Sequence, residues 1–400
     1  MTHRFGRIRR FRFNRPQQIA AVLLAMFLAQ GLWLIARQPV NASDALYAGC
    51  GSQLWLGQRL AAGGENGCGS ISDGILAYRL AGLPLALDRL AGLGQDHSRG
   101  PQSGALPANS MNCGPDRLSQ IVLILIRLPF LLAGFFLGGA LWWVTRRLYG
   151  NLGGYTALAL YCFSPAVVRA AAQPGPDLLA ALGVFGGVYT CIGVAHAMQG
   201  PRRKWRPRMV LLAAAFGLAG AAHLAALALT ALLGLGFMLW VAEGRRRQVF
   251  PVVLIPALAA LLFLFVCYGF SPSAFGELFV SPAAFASISL APIRRFSYDF
   301  GNLGLLMATV TALLIYLLLR KARYFGNTAP LLCALVCILL VPAGSVAAAW
   351  LWALPFLLTF LGGVLADAYD EPRGRLARAT AGVLVVVQVT CCLIRLTFFF

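Results

Sequence analysis

The sequence predicts an all-α, polytopic integral membrane protein, and three observations lead there. The chain is 59% hydrophobic and only 12% charged, roughly half the charge of an ordinary soluble domain. Its apolar runs are long enough to span the ~30 Å of bilayer hydrocarbon as helices. Taken in turn as crossings, those runs put the arginine clusters at Arg4 to Arg15, Arg146/Arg147, Arg202 to Arg208, Arg245 to Arg247, Arg320 to Arg323 and Arg373 to Arg378 on one side. Lys and Arg resist translocation during insertion, so the pattern predicts a cytoplasmic N-terminus and a multi-pass protein of the cell inner membrane. The net charge of +20 then belongs to cytoplasmic helix ends, with no nucleic-acid partner implied.

Eleven crossings follow in order, forming a single transmembrane domain over residues 1–400. The first is 19–36, basic in front as a signal peptide is, but long enough to be retained. Residues 119–144 return to Arg146/Arg147, 152–170 lead out to the turn Gln173-Pro174-Gly175-Pro176, and 177–198 come back to a strongly basic loop. The run 209–240 is too long for one helix and predicts two short ones turning near Ala222-His223. Residues 249–270 and 303–319 flank a second outer loop, 271–302, rich in Ser, Pro and Phe. Two crossings flank the turn at Pro342-Ala343-Gly344, and 379–396 is the last. Frequent Gly and Ala suit close helix packing in lipid.

The first outer loop, 38–118, carries structure of its own. Residues 44–60 have helical spacing, with Leu46, Tyr47, Leu54, Leu56 and Leu60 on one broad apolar stripe. Residues 75–93 form a second amphipathic helix, but Arg79, Asp88 and Arg89 are too costly at mid-bilayer, so it is expected to lie on the membrane surface. Residues 94–114, rich in Gly, Ser, Pro and Asn, read as a loop. A Cys50–Cys68 disulfide is compatible with an oxidising compartment. The cysteines in apolar runs read as small core residues.

Of thirteen carboxylates, nine fall on the outer side, so chemistry done with carboxylates is expected there. Asp44 and Asp177 stand where apolar helices meet the outer surface. Each reads either as an N-terminal helix cap or as a group at the rim of an outward cavity, with Asp44 the candidate general base. Arg127, inside the second apolar run, either faces a cavity or an anionic partner or snorkels to the interface. Arg169, Arg294 and Arg295 are the other outward cations near helix ends. His223 reads as a buried, hydrogen-bonded residue or as a site residue.

Asp44-Ala45-Leu46-Tyr47 after the first helix, a surface helix at 75–93, Arg127-Leu128-Pro129 opening the next crossing and Arg146-Arg147-Leu148-Tyr149-Gly150 closing it come in a telling order. With Ser164-Pro165 and Pro176-Asp177, this order resembles the GT-C membrane glycosyltransferases, especially the protein-mannosyltransferase and aminoarabinose-transferase branch called family 39. Ala45 replaces the family's second acidic residue, Ser70-Ile71-Ser72-Asp73-Gly74 replaces its proline-containing motif, and His223 stands where a lysine is common.

The resemblance implies inverting transfer of a sugar from a polyprenyl-phosphate donor to a glycan, lipid or protein acceptor on the extracytoplasmic face. Asp44 would be the catalytic base. Arg127, with Arg294 or Arg295, would hold the departing phosphate, and Tyr47 and Asp177 would position the acceptor or a divalent cation. Membrane lipid and the lipid-linked sugar are the partners this implies. A transporter or lipid flippase, and a catalytically degenerate assembly partner, are the alternatives. Asp44→Asn is expected to abolish turnover while leaving folding near normal.

Overall fold

The computed structural model describes residues 15–57, 74–90, 117–199, 206–280, 286–298, 300–319, 326, 328–342, 346–369 and 374–398. Cys68, Cys113, the loop 94–114, the arginine clusters Arg4 to Arg12 and Arg320 to Arg323, and the turn residues Ala343-Gly344 lie outside them.

Fifteen helices account for nearly everything described. They are α1 (Arg15–Arg37), α2 (Ala42–Trp55), α3 (Ile75–Leu90), α4 (Arg117–Cys162), α5 (Pro165–Ala171), α6 (Asp177–Met198), α7 (Arg206–Ala222), α8 (Leu224–Val241) and α9 (Arg246–Cys267). After them come α10 (Pro272–Val280), α11 (Ala291–Tyr298), α12 (Leu303–Leu319), α13 (Thr328–Leu339), α14 (Val346–Tyr369) and α15 (Gly374–Phe398). Among the described residues seven helical stretches are long and apolar enough to cross a membrane, and α7, α12 and α13 are shorter apolar helices. The chain is a multi-pass, all-α membrane protein.

Two breaks divide the apolar runs much as the sequence predicts. Inside α4, Gly150 adopts φ 83° and ψ −174°, a backbone state that costs a residue with a Cβ dearly. The helix turns back there, just after Arg146 and Arg147, whose guanidinium groups sit over the rings of Trp142 and Trp143. Between α7 and α8 the single extended residue His223 (φ −151°, ψ 131°) folds two short helices into a hairpin against α6. With α4 counted as two, the described segments match the eleven expected crossings, the third being interrupted at Phe163-Ser164 before α5.

The core is organised around α14. Every residue from Ala348 to Asp367 is buried, as expected of a helix that is apolar on all sides. The second half of α4 reaches it through paired glycines: a Cβ on Gly362 would lie 2.5 Å from the Gly153 carbonyl oxygen. Gln388 of α15 is buried and fully used. Its Oε1 accepts the Leu305 N–H (2.8 Å), and its Nε2 donates to the carbonyls of Phe163 (2.8 Å) and Gly301 (3.2 Å). It thereby satisfies backbone groups at the α4–α5 break and before α12, where lipid offers no water to do so.

The segment expected as the second outer loop contains α10 and α11, and its Ala286–Ile288 pairs antiparallel with Leu340–Pro342. The first contains α2 and α3, packed backbone against backbone. A Cβ on Gly51 would come within 1.8 Å of the Tyr78 carbonyl oxygen, and one on Gly82 within 2.1 Å of the Gly51 carbonyl carbon. Trp55 Nε1 donates to the Arg79 carbonyl (2.7 Å), and Arg79 Nε donates to the Cys267 carbonyl at the end of α9. These contacts tie both outer helices to the bundle.

Candidate active site at one pole of the bundle

At one end of α6, Arg208 donates to the Gly193 carbonyl and Arg245 to that of Met198. The opposite end of α6 begins with Asp177, and around it gather the termination of α1, the interior of α4 near Arg127 and the α7–α8 turn. Most of the sequence-predicted site residues therefore share one pole, away from the basic loops.

Asp44 and Arg127 meet, but they meet each other. Both side chains are fully buried. Arg127 Nε donates to Asp44 Oδ1 (3.1 Å) and Nη2 to Oδ2. The remaining N–H groups donate to the carbonyls of Ile35 (3.3 Å), Gln38 (3.2 Å) and Pro39 (3.0 Å). A guanidinium has five N–H donors, and all five are engaged. Asp44 also closes a capping box at the start of α2. Its Oδ2 accepts the Asn41 N–H (2.9 Å), while Asn41 Oδ1 accepts the Asp44 N–H (2.8 Å). Arg127 therefore neither snorkels nor faces an open anion site. It fastens the end of α1 to the start of α2.

Asp177 is placed differently. Its side chain keeps 26% of its surface exposed, and Oδ1 lies 2.9 Å from His223 Nε2. The His223 ring packs against Trp352 with centroids 5.4 Å apart, and Trp352 Nε1 donates to the Asp177 carbonyl (3.2 Å). Side chain and backbone of Asp177 are thus both held, while the carboxylate still reaches a cavity of about 280 Å³. Arg169, Gln173, Asn302, Phe296 and Trp350 line the same cavity, as do the first turns of α6 and α14. A helix N-terminus favours negative charge, so Arg169 and the two helix starts make this wall hospitable to an anion.

The remaining expected residues fall elsewhere. Tyr47 packs its ring on Tyr78, 4.5 Å between centroids, in the α2–α3 seam. Arg294 is exposed on α11 and does not line the cavity, and the side chain of Arg295 lies outside the described residues. Sequence reasoning named Arg169 among the outward cations that a lipid-linked phosphate would need, and missed Asn302, Phe296 and Trp350. Only Arg169 carried a signal, as an outward cation near a helix end. Among the described residues no three His, Cys, Asp or Glu side chains gather as metal ligands.

Two solved structures of ArnT from Cupriavidus metallidurans share this architecture. The apo form aligns with a TM-score of 0.61 at 14% identity, covering 95% of this chain and 75% of its own. The form bound to undecaprenyl phosphate aligns at 0.59 and 17% identity, covering 94% and 64%. The fold is that of ArnT. No family model matches the chain, and no curated protein matches it in sequence.

Proposed function

We propose that this chain is a membrane glycosyltransferase of the GT-C type, which moves a sugar from a polyprenyl-phosphate donor to an acceptor on the extracytoplasmic face. The observation that carries the reading is the cavity. It places a held but accessible carboxylate beside a cation and two helix N-termini, in a fold shared with a protein that binds undecaprenyl phosphate. Orientation is supported by the arginine clusters and by Cys50, which is disulfide-bonded on α2 at the cavity's pole. A disulfide persists in an oxidising compartment, which supports reading that pole as extracytoplasmic.

The reaction follows from the geometry. The donor's phosphate sits toward Arg169 and the starts of α6 and α14, where its charge is favoured both when bound and as it leaves. An acceptor hydroxyl attacks the anomeric carbon from the opposite side and inverts it. The C–O bond to phosphate breaks with its electron pair going to the phosphate, and the hydroxyl proton passes to Asp177. His223 fixes the rotamer of Asp177 during that transfer. In this reading the base is Asp177 and not Asp44, because Asp44 has no free surface and no lone pair directed at a substrate. Asp44 and Arg127 shape the wall indirectly: Arg127 holds the Gln38 carbonyl, and the Gln38 side chain accepts from Gln173 of the cavity lining (3.4 Å).

The test is sugar transfer in liposomes, with radiolabelled polyprenyl-phosphate sugars and an envelope membrane extract as acceptor. Asp177→Asn is expected to lower turnover by about 10²–10⁴-fold with donor binding retained, the range of a lost general base. Full activity in Asp177→Asn would remove the base assignment. Donor binding without turnover in the unmodified protein would favour the catalytically degenerate reading, to which the sealed Asp44 already lends support.

A further inference from the structure

The seam between α2, α3 and the end of α9 holds a cation that the cavity does not use. Arg79 of α3 is half-buried, and its Nε donates to the Cys267 carbonyl at the end of α9. The guanidinium lies over the Trp55 ring, 5.1 Å from the centroid, and Trp55 Nε1 donates to the Arg79 carbonyl (2.7 Å). Side chain and backbone of Arg79 are therefore both fixed. A guanidinium has five N–H donors. Among the described residues only the one on Nε finds an acceptor, and no carboxylate pairs with the group. The two Nη atoms are not sealed inside the protein, so an outside group can reach them.

The face of α3 decides what that group is. Residues four apart share a side of a helix, so Leu83 and Leu87 continue the side of Arg79. Both are exposed, as are Leu90 and Trp55. A row of exposed leucines on an outer helix of a membrane protein meets hydrocarbon and not water. Depth follows from α9. Its 22 residues span about 33 Å, enough to cross the hydrocarbon, so its last turn at Cys267 comes level with the lipid headgroups. The anions at that level are lipid phosphates. A phosphate offers acceptors alone and can take two parallel N–H groups from one guanidinium. A choline or ethanolamine headgroup would bring a second cation beside Arg79, whereas a glycerol headgroup brings none.

We propose that Arg79 and Trp55 form a binding site for the phosphate of an anionic bilayer phospholipid, whose acyl chain lies along Leu83, Leu87 and Leu90. The Nη groups donate to the phosphate oxygens, and the Trp55 ring supports the guanidinium from one side. A donor group held in place before binding loses little freedom when the lipid arrives. The bound lipid in turn braces α2 and α3 against the end of α9. None of these residues lines the cavity, so the site stands whether or not the chain transfers sugar.

The experiment is native mass spectrometry of the full-length protein in mild detergent, titrated with phosphatidylglycerol, phosphatidylcholine, polyprenyl phosphate or inorganic phosphate. Arg79→Gln is expected to weaken phosphatidylglycerol binding about 10-fold, the size of a lost charge-assisted contact. Arg89→Gln removes the same charge from an exposed position of the same helix and is expected to leave the affinity unchanged. Leu87 is 55% exposed, so Leu87→Glu keeps the fold and should also weaken this lipid. That variant carries the test if Arg79→Gln loses the fold through the Cys267 carbonyl. In the unmodified protein phosphatidylglycerol is expected to bind tighter than phosphatidylcholine or inorganic phosphate. Unchanged affinity in folded Arg79→Gln, or in Leu87→Glu, would overturn the site. Equal losses in Arg79→Gln and Arg89→Gln would reduce it to unspecific charge attraction. Equal binding of phosphatidylcholine would overturn the anionic assignment, and equal binding of inorganic phosphate the role of the acyl chain. Displacement of phosphatidylglycerol by one equivalent of polyprenyl phosphate would overturn the proposal and give the seam to the donor lipid.

Discussion

Replacing Asp44 with Asn separates a structural carboxylate from a catalytic one. In the folded protein Arg127 is completely buried, and its only counter-charge among the described residues is Asp44. The amide that replaces the carboxylate would keep one oxygen for the Asn41 N–H or for Arg127, but it leaves a guanidinium in the interior without a neutralising partner. Breaking a buried pair from one side costs about 3–5 kcal/mol. Arg127 retains three carbonyl acceptors in the variant, which places Asp44→Asn near the lower end, about 3 kcal/mol. Arg127→Met is worse. It strands the carboxylate and also orphans the carbonyls of Ile35, Gln38 and Pro39, so about 5 kcal/mol or more is expected.

The assay is loss of the monodisperse species on heating, followed by size exclusion in mild detergent. At roughly 2 °C per kcal/mol for a long chain, the two variants should melt about 6 °C and 10 °C below the parent. The double variant Asp44→Leu/Arg127→Met should melt above the sum of its singles, because no lone charge remains. The geometry thus replaces the sequence-based expectation that Asp44→Asn folds normally. A variant that melts within about 1 °C of the parent yet has lost all transfer would refute the structural role and return Asp44 to the chemistry.

Four further outcomes are expected. Gly82→Val should sharply reduce the yield of folded protein, since a Cβ there meets the Gly51 carbonyl carbon at 2.1 Å and the two backbones must part; fluorescence-detected size exclusion reads this directly. Reduction with dithiothreitol should lower the melting temperature, by an amount corresponding to about 2–4 kcal/mol, and Cys50→Ser should reproduce the loss and abolish the reductant's effect. The seven free cysteines among the described residues are all buried, so in a Cys113→Ser background the folded protein should resist labelling at them by a bulky maleimide. Gln388→Leu should destabilise through the Leu305 N–H and the Phe163 and Gly301 carbonyls it leaves unpaired, by about 2–4 kcal/mol measured by the same melting assay.

Features written in short stretches of chain were legible beforehand. The break near Ala222-His223 follows from an apolar run too long for one helix, and the reversal at Gly150 follows a paired-arginine boundary. The helical stripe from Asp44 became α2, and the surface helix became α3. The features that were not legible depend on distant partners. Nothing local to Asp44 says that Arg127, 83 positions away, will occupy both of its oxygens. Nor does Asn302 announce that it will share a wall with Trp350, because that wall exists only once α11, the start of α14 and the residues before α12 converge. Arg294 was misjudged for a related reason: on a short outer helix, one register position decides between cavity and exposed surface.

The two aspartates at this pole show how burial assigns roles that residue type cannot. Both stand at helix starts and both accept strong hydrogen bonds, so the sequence treats them alike. The partner decides. Arg127 engages both oxygens of Asp44 through two N–H groups and the pair is fully buried, so no substrate hydroxyl reaches that carboxylate. His223 engages one oxygen of Asp177, and about a quarter of the Asp177 side chain stays exposed at the cavity. A general base must be held in orientation and still reach the substrate, and in the proposed reaction Asp177 is the one placed to do so. His223→Gln, which can still donate to Asp177, should therefore preserve much of the transfer rate, whereas His223→Leu, which cannot, should lower it. Equal rates in the two variants would leave His223 a purely structural turn residue.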